Sequence, residues 1–357
     1  MARRVRRQSN AFDPRRIFAV RKSVVVSMMI HDPAIVHSET GRQANSAVAL
    51  FDVSDRTQIE ITGADRARFL HNFTSNDIKG LKPGHGCETF VTNLKGKVVG
   101  HVFVFCDEQS LWIDGTAGQA EAIIKHLSKY LLIEDVQIHS RTGERGELYV
   151  SGPLAAQLLQ LEDSLPVLRG ISRQSDRQPF DIRRVDMLGQ PGFLLSLPLA
   201  RVEIVKQSLA ALTVPVGSRD LFEALRINAG FPTLGVDITE DNLAQEVART
   251  KVAISFNKGC YLGQETIARL DALGHTNQEL RRLRFAAATL PHGSLKIFDA
   301  AGATEIGTVS SAAPAVDTTA TDSPGVIAMG LVKRIACPAG TSVRLIVGEV
   351  SVAGEVL

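Results

Sequence analysis

The chain contains few cysteines for its 357 residues, and no two of them are close in sequence. The four are Cys87, Cys106, Cys260 and Cys337. Zinc ribbons and self-contained four-cysteine clusters need closely spaced pairs of ligands, so neither site is predicted and no resident metal is expected. A low cysteine content in a chain of this length is typical of a reducing compartment, and we predict a cytoplasmic protein.

The sequence also lacks a long apolar run and a strong net charge. The apolar stretch near the start, residues 23–30, is far too short to cross a bilayer. The net charge is +2, but the first 30 residues hold eight basic residues and one acid, which leaves −5 for the rest. A mildly acidic body does not provide the clustered basic surface that nucleic acid binding needs. We therefore expect neither a membrane nor a nucleic acid as partner.

The basic N-terminal segment permits two interpretations. Its acid-poor, Arg-rich composition is typical of an organellar transit peptide, which would direct the protein to the mitochondrial matrix. Alternatively, translation starts downstream at Met28 or Met29, which is favoured because Pro14 and the β-branched residues 24–26 disfavour an amphipathic helix. We treat residues 1–44 as an extension outside the folded domains.

The order of predicted elements indicates two related α+β units. A strand over residues 58–62 ends at Gly63 and precedes a helix, and a strand over residues 147–150 ends at Gly152 and also precedes a helix. The two glycines lie 89 residues apart. Further strands and a second helix follow in each unit. We therefore predict a duplicated strand–helix–strand–strand–helix unit with antiparallel sheets, and a cleft between such halves commonly holds a small ligand.

The remaining segments complete an α+β fold. Ser218 is predicted to cap a helix that ends near Gly230, and short strands from residue 280 onward indicate a small all-β domain. The predicted organisation is an α+β core over residues 45–278, made of two similar antiparallel-sheet halves, and a C-terminal β-barrel domain over residues 279–357.

The most informative segment is K-G-C-Y-L-G-Q-E, residues 258–265, in which two glycines bracket a Cys-Tyr pair before a helix-forming stretch. The positive end of that helix and the charge of Lys258 would both favour the thiolate of Cys260. Cys260 is therefore predicted to be nucleophilic or metal-binding, with Lys258 assisting it. By spacing alone, a small buried cysteine chosen for packing is an equally good explanation.

This signature resembles the K-G-C-[FY]-x-G-Q-E motif of the YgfZ family, whose members are similar to the glycine-cleavage T-protein. Other stretches between about residues 45 and 357 are similar to that superfamily as well: T-S-N-D-I at 74–78, L-R-I-N-A-G-F-P at 225–232, and G-T-V-S-S at 307–311. The resemblance implies three lobes around a central tetrahydrofolate site. It also implies support of iron–sulfur cluster assembly or repair, and through it of tRNA modification.

The resemblance further implies which residues would contact folate: Asn93, His101, Gln190, Arg226 and Tyr261. In the transferases of the superfamily a hairpin ends in two aspartates, one of them catalytic, and this chain has Gly100 and His101 there. Gln190 stands where the transferases have a glutamate, so its contact with folate would lack charge assistance. Arg226 is expected either to bind the folate carboxylates or to form a structural ion pair.

Three functions follow from these observations. The first is a tetrahydrofolate-binding accessory protein that supports iron–sulfur proteins through Cys260, with folate and assembly or client proteins as partners. The alternative is a folate-dependent aminomethyltransferase or other one-carbon transferase, which Gly100 and His101 argue against because neither is an anion. The third is a folate-sensing module with a buried Cys260.

Overall fold

The computed structural model describes residues 38–161, 165–175, 178–290, 295–316, 325–347 and 349–357. Both interpretations of the basic N-terminal segment concern residues that lie outside this part of the chain. Helix α1 (Glu39–Ser46) starts within the predicted extension, and Ala44 of this helix is buried in the core. No helix among the described residues is long and apolar enough to cross a membrane.

The first half is a five-stranded antiparallel sheet with two helices. Its elements are β2 (Thr57–Thr62), α2 (Arg66–His71), β3 (Gly86–Thr92), β4 (Val98–Cys106), β5 (Ser110–Gly115), α3 (Ala120–Ser128) and β6 (Gln137–Ser140). The strand order is β3-β4-β5-β2-β6. The apolar sides of α2 and α3 pack on this sheet in one buried cluster, which includes Phe69, Leu70, Ile123 and Leu127.

The second half repeats this arrangement. Its elements are β7 (Arg145–Ser151), α4 (Ala155–Leu158), β8 (Gly170–Ser175), β9 (Gln178–Arg184), β10 (Gly192–Pro198), α5 (Val202–Ala211) and β11 (Val216–Gly217). The strand order is β8-β9-β10-β7-β1-β11, in which β1 (Ala49–Asp52) is inserted between β7 and β11. Apart from β1 the two orders are the same, which confirms the predicted pair of similar halves.

The predicted repeat was two strands too short. Strands β3 and β8 follow the first helix of each half, strands β6 and β11 follow the second, and none of the four was expected. In β3, six of the seven residues are buried, so the strand does not alternate between polar and apolar residues as a half-exposed strand does.

The equivalent glycines explain where the repeat begins. Gly63 and Gly152 adopt φ values of +101° and +135°, which side-chain-bearing residues rarely adopt. A Cβ atom on either would overlap a carbonyl oxygen, that of Asp135 for Gly63 and that of Ala47 for Gly152. Both positions therefore require glycine.

A helical connection and a closed barrel complete the fold. The connection contains α6 (Arg219–Ala229), α7 (Thr250–Ala253) and α8 (Gln264–Leu273), with a 3₁₀ turn at Ala244–Val247 between α6 and α7. Two further 3₁₀ turns, at Leu199–Arg201 and Arg334–Ala336, lie outside the connection. The barrel strands are β12 (Gln278–Phe285), β13 (Leu295–Asp299), β14 (Glu305–Pro314), β15 (Val326–Lys333), β16 (Ser342–Val347) and β17 (Val350–Val356). They close in the order β12-β15-β14-β13-β16-β17, which confirms the predicted C-terminal β-barrel.

Candidate functional site

The signature loop connects α7 to α8 and exposes one thiol. Cys260 is exposed, whereas the other three cysteines are buried. The idea that Cys260 is a packing cysteine is therefore wrong. Helix α8 begins at Gln264, with Gly263 as its N-cap at φ +84°, so Cys260 lies in the loop ahead of the helix and not in its first turn.

Lys258 holds the loop against the T-S-N-D stretch. Its Nζ atom donates hydrogen bonds to the carbonyl oxygens of His71, Thr74 and Asn76 at 2.6, 2.5 and 2.9 Å. The same ammonium lies 4.6 Å from the centre of the Tyr261 ring. Burial lowers the pKa of Lys258 to about 7. Because these carbonyls take all three ammonium hydrogens, Lys258 positions the loop and has no hydrogen left for a direct bond to Cys260.

The glycines of two motifs allow the β3–β4 hairpin to pack on the loop. A Cβ on Gly263 would overlap the Asn93 carbonyl oxygen and come within 2.9 Å of the Gly96 Cα. Asn93 uses its side-chain oxygen inside the hairpin, where it accepts from the backbone N–H groups of Lys95 and Lys97 at 2.9 and 3.2 Å. Tyr261 is buried beside this contact, and burial raises the pKa of its hydroxyl to about 12.

A buried carboxylate lies next to His101. The Nε2 atom of His101 is 2.7 Å from Oε1 of Glu88, and Arg249 donates to both Glu88 oxygens at 2.7 and 2.5 Å. Burial raises the pKa of Glu88, but the hydrogen bonds from Arg249 and His101 outweigh it and hold the pKa at about 2. The ring of Phe231 packs against that of His101 with 5.5 Å between the ring centres and a tilt of 31°, and the guanidinium of Arg249 lies 5.4 Å from the centre of the Phe231 ring.

Glu88 and Arg249 were not predicted from the sequence. Gly100 and His101 stand where the transferases have paired acids, but neighbouring residues of a strand face opposite sides of the sheet. A Cβ on Gly100 would point at Ile123 of α3, 3.0 Å away, so only His101 faces the cluster with Glu88. The one available signal was an acidic residue inside the otherwise uncharged run of β3.

Arg226 makes several polar contacts within the protein, whereas Gln190 lies in a turn. The guanidinium of Arg226 is buried and bonds to Glu223 at 2.6 Å, Asp237 at 2.7 Å and the Phe231 carbonyl at 3.1 Å. Of the two expectations for Arg226, the geometry matches the structural ion pair. Gln190 lies half-buried in the turn between β9 and β10.

Six of the seven predicted site residues form two groups, and Gln190 belongs to neither. Phe231 links His101 to Arg226, since its ring packs against the first and its carbonyl accepts from the second. Gly263 links Asn93 to the loop that carries Lys258, Cys260 and Tyr261. The G-T-V-S-S turn of the barrel joins the first group, because Ser310 and Ser311 both donate to Asp237 at 2.8 and 2.5 Å.

Comparison with known proteins identifies the relatives of this chain. Residues 33–258 match the family described as "GCVT N-terminal domain". The chain is 31% identical over 262 residues to "Putative transferase At1g60990, chloroplastic" of Arabidopsis thaliana, covering 71% of this chain and 60% of that protein. It is 29% identical over 221 residues to "Aminomethyltransferase, mitochondrial" of Gallus gallus, covering 59% and 56%. The matched part thus spans less than two thirds of both relatives.

A solved structure shows the same fold. The chain superposes on the glycine cleavage system aminomethyltransferase T from Bartonella henselae with a TM-score of 0.80 and 23% sequence identity. The superposition covers 92% of this chain and 90% of that one, so it includes both halves and the barrel.

Proposed function

Because this chain belongs to the family of the GCVT N-terminal domain, we propose that it is a tetrahydrofolate-binding protein that supports iron–sulfur cluster assembly or repair through Cys260. The exposure of Cys260 supports this role, because the other residues of the motif have structural contacts. Lys258 clamps the loop, Tyr261 packs in the core, Gly263 admits the hairpin, and Gln264 accepts from the Tyr261 N–H. Cys260 is exposed and fills no such structural role, so its chemistry is the better reason for a cysteine.

Tetrahydrofolate is proposed to bind beside the His101 group, between the two halves. The half-buried ring of Phe231 offers a flat surface for a pterin, and Gln190 offers an acceptor without charge. Arg226 is already paired with the carboxylates of Glu223 and Asp237, so in this proposal it does not bind folate but holds Phe231 in place through the Phe231 carbonyl. Asn93 and Tyr261 support the site in the same way, through the hairpin and the signature loop.

Clients or assembly proteins are the proposed partners, because one cysteine cannot hold an iron–sulfur cluster by itself. A second ligand or thiol would come from the partner while Cys260 ligates iron. The proposed location is the cytoplasm, or the mitochondrial matrix if residues 1–37 act as a transit peptide.

Aminomethyl transfer is the second candidate, and Glu88 favours it. A buried, ionised carboxylate next to His101 could stabilise positive charge on a folate-bound carbon. Against it, Arg249 and His101 already neutralise both oxygens of Glu88, which leaves less negative charge for a substrate.

Genetic complementation tests the two candidates together. Cells that lack the gene would receive wild type, Cys260→Ala, the buried-cysteine control Cys106→Ala, or Glu88→Gln, and several iron–sulfur enzymes and glycine cleavage would be assayed. We expect the iron–sulfur activities to return with wild type and Cys106→Ala but not with Cys260→Ala. Full rescue by Cys260→Ala would refute the proposal. Loss of glycine cleavage that wild type restores, and that an equal level of folded Glu88→Gln does not restore, would favour aminomethyl transfer.

A further inference from the structure

His71 lies directly beneath the signature loop. It is the last residue of α2, and its side chain is only 5% exposed. Its Nε2 atom is 4.0 Å from the position that a Cβ would occupy on Gly259, the residue before Cys260. In the described part of the chain nothing hydrogen-bonds to Nε2, so a buried imidazole points an unpartnered nitrogen at the loop that exposes the thiol.

Asp77 fixes the orientation of this imidazole. Its Oδ1 atom lies 3.2 Å from Nδ1 of His71 and also accepts from the backbone N–H of Gly80 at 3.1 Å. A Cβ on Gly80 would come within 2.6 Å of Asp77 Oδ2, so glycine leaves room for the carboxylate. The backbone nitrogen of Lys79 also lies 3.4 Å from Nδ1 and can donate to it, but the shorter contact with the charged carboxylate favours the tautomer with hydrogen on Nδ1, which leaves the lone pair on Nε2.

The charges around His71 keep it neutral before it acts. Burial is the largest influence and lowers its pKa, as do the positive charges of Lys258 and Lys79, while Asp77 acts in the opposite direction. A neutral imidazole can accept a proton at neutral pH. Lys258 cannot take this role while its ammonium hydrogens bond to three carbonyls.

We propose, on the basis that Cys260 is the reactive group of the proposed function, that His71 accepts the proton of the Cys260 thiol. The S–H bond breaks, the sulfur keeps the electron pair, and the proton moves to Nε2. The imidazolium that forms is stabilised by Asp77. The step requires the exposed side chain of Cys260 to reach Nε2 from its place next to Gly259.

The test is the pH profile of Cys260 alkylation in the full-length protein. Iodoacetamide modification of the Cys260 peptide would be followed by mass spectrometry from pH 5 to 9. We expect His71→Gln to slow alkylation at pH 7 at least about tenfold and to move the midpoint of the pH–rate profile to higher pH, because the thiol loses its proton acceptor. The control His139→Gln changes an exposed imidazole on β6 and should leave rate and midpoint unchanged.

Asp77→Asn keeps the test decisive if His71→Gln does not fold. Asp77 is about half exposed, so this variant should remain folded while it removes the carboxylate that stabilises the imidazolium. It should also slow alkylation and raise the midpoint. Wild-type rate and midpoint in His71→Gln, or in Asp77→Asn where the first variant is unfolded, would refute the role of His71.

The wild-type protein separates this inference from the proposed function. If its Cys260 reacts no faster than the buried Cys106, both the reactive-cysteine function and the role of His71 fail. If Cys260 reacts fast in wild type and both variants match it, only the role of His71 fails.

Discussion

Glu147 and Asp114 lie together at the junction of the two halves, and Arg56 contacts both. Asp114 receives hydrogen bonds from the Arg56 guanidinium, while Glu147 Oε2 is 3.7 Å from Arg56 Nε. Neither Glu147 oxygen has a hydrogen-bond partner among the described residues. Burial, and then the charge of Asp114, raise the pKa of Glu147 well above its usual value. A proton on Glu147 therefore supplies the missing hydrogen bond to Asp114 and leaves one negative charge opposite Arg56.

Glu147→Gln should accordingly not destabilise the protein at pH 7, since an amide can also donate to Asp114 and, unlike Glu147, takes up no proton on folding. Asp114→Asn should cost about 3 kcal/mol, because it leaves buried Arg56 without its anion. A raised folded pKa gives stability that is present below the unfolded value of about 4.5 and lost as pH rises through the folded value. Urea unfolding from pH 4 to 8 should show wild type losing stability relative to Glu147→Gln as the pH rises above about 4.5. Equal costs for the two substitutions would contradict the shared proton.

Glu88→Gln should destabilise the protein by about 3 kcal/mol at pH 7, because the folded pKa is about 2 against 4.5 for a free glutamate. The sign is opposite to that of Glu147: the stabilisation is present above pH 4.5 and lost as pH falls through about 2. The difference between wild type and variant in urea unfolding should therefore shrink at pH 3. Glu60→Gln, which breaks a partly exposed pair with Arg141, is the control and should cost less than about 1 kcal/mol. A cost no larger than that of the control would mean that Glu88 is not ionised.

Gly263→Ala should destabilise the protein by more than about 2 kcal/mol, because φ is +84° and the new Cβ would overlap the Asn93 carbonyl. Gly274→Ala provides a matched comparison. Its φ is +72°, but nothing lies within 4 Å of its Cβ position, so only backbone strain of about 1 kcal/mol applies. Thermal and urea unfolding of both variants would measure the difference. Equal effects would show that the hairpin does not pack on the signature loop in solution.

Gln190→Glu should tighten tetrahydrofolate binding about fivefold, since charge-assisted hydrogen bonds exceed neutral ones by about 1 kcal/mol. We expect the wild-type dissociation constant to be no better than about 1 μM. Isothermal titration calorimetry under anaerobic conditions would measure both, with the exposed Gln137→Glu as a control that leaves affinity unchanged. If neither wild type nor Gln190→Glu binds, tetrahydrofolate is not the ligand.

Structural features that depend on residues close together in the chain could be predicted from the sequence alone. Ser218 caps α6 and Gly230 ends it at φ +74°, as their positions predict, because a helix end is satisfied by groups within a few residues. The duplicated halves and the barrel also followed from the order of strands, helices and glycines. The exposure of Cys260 fits the Gly-bracketed loop, although spacing alone left a buried cysteine equally open.

Which charged side chains pair with one another could be seen only in the tertiary structure. Glu88 and Arg249 are 161 residues apart, and Lys258 bonds to carbonyls more than 180 residues away. No local pattern encodes such pairs, since they depend on how whole sheets and loops pack against each other. Strand β3 was not predicted for a related reason: both of its faces are covered, so its polar and apolar residues do not alternate. Lys258 was expected to act on Cys260, and packing turned its ammonium toward three carbonyls and placed His71 beneath the thiol loop.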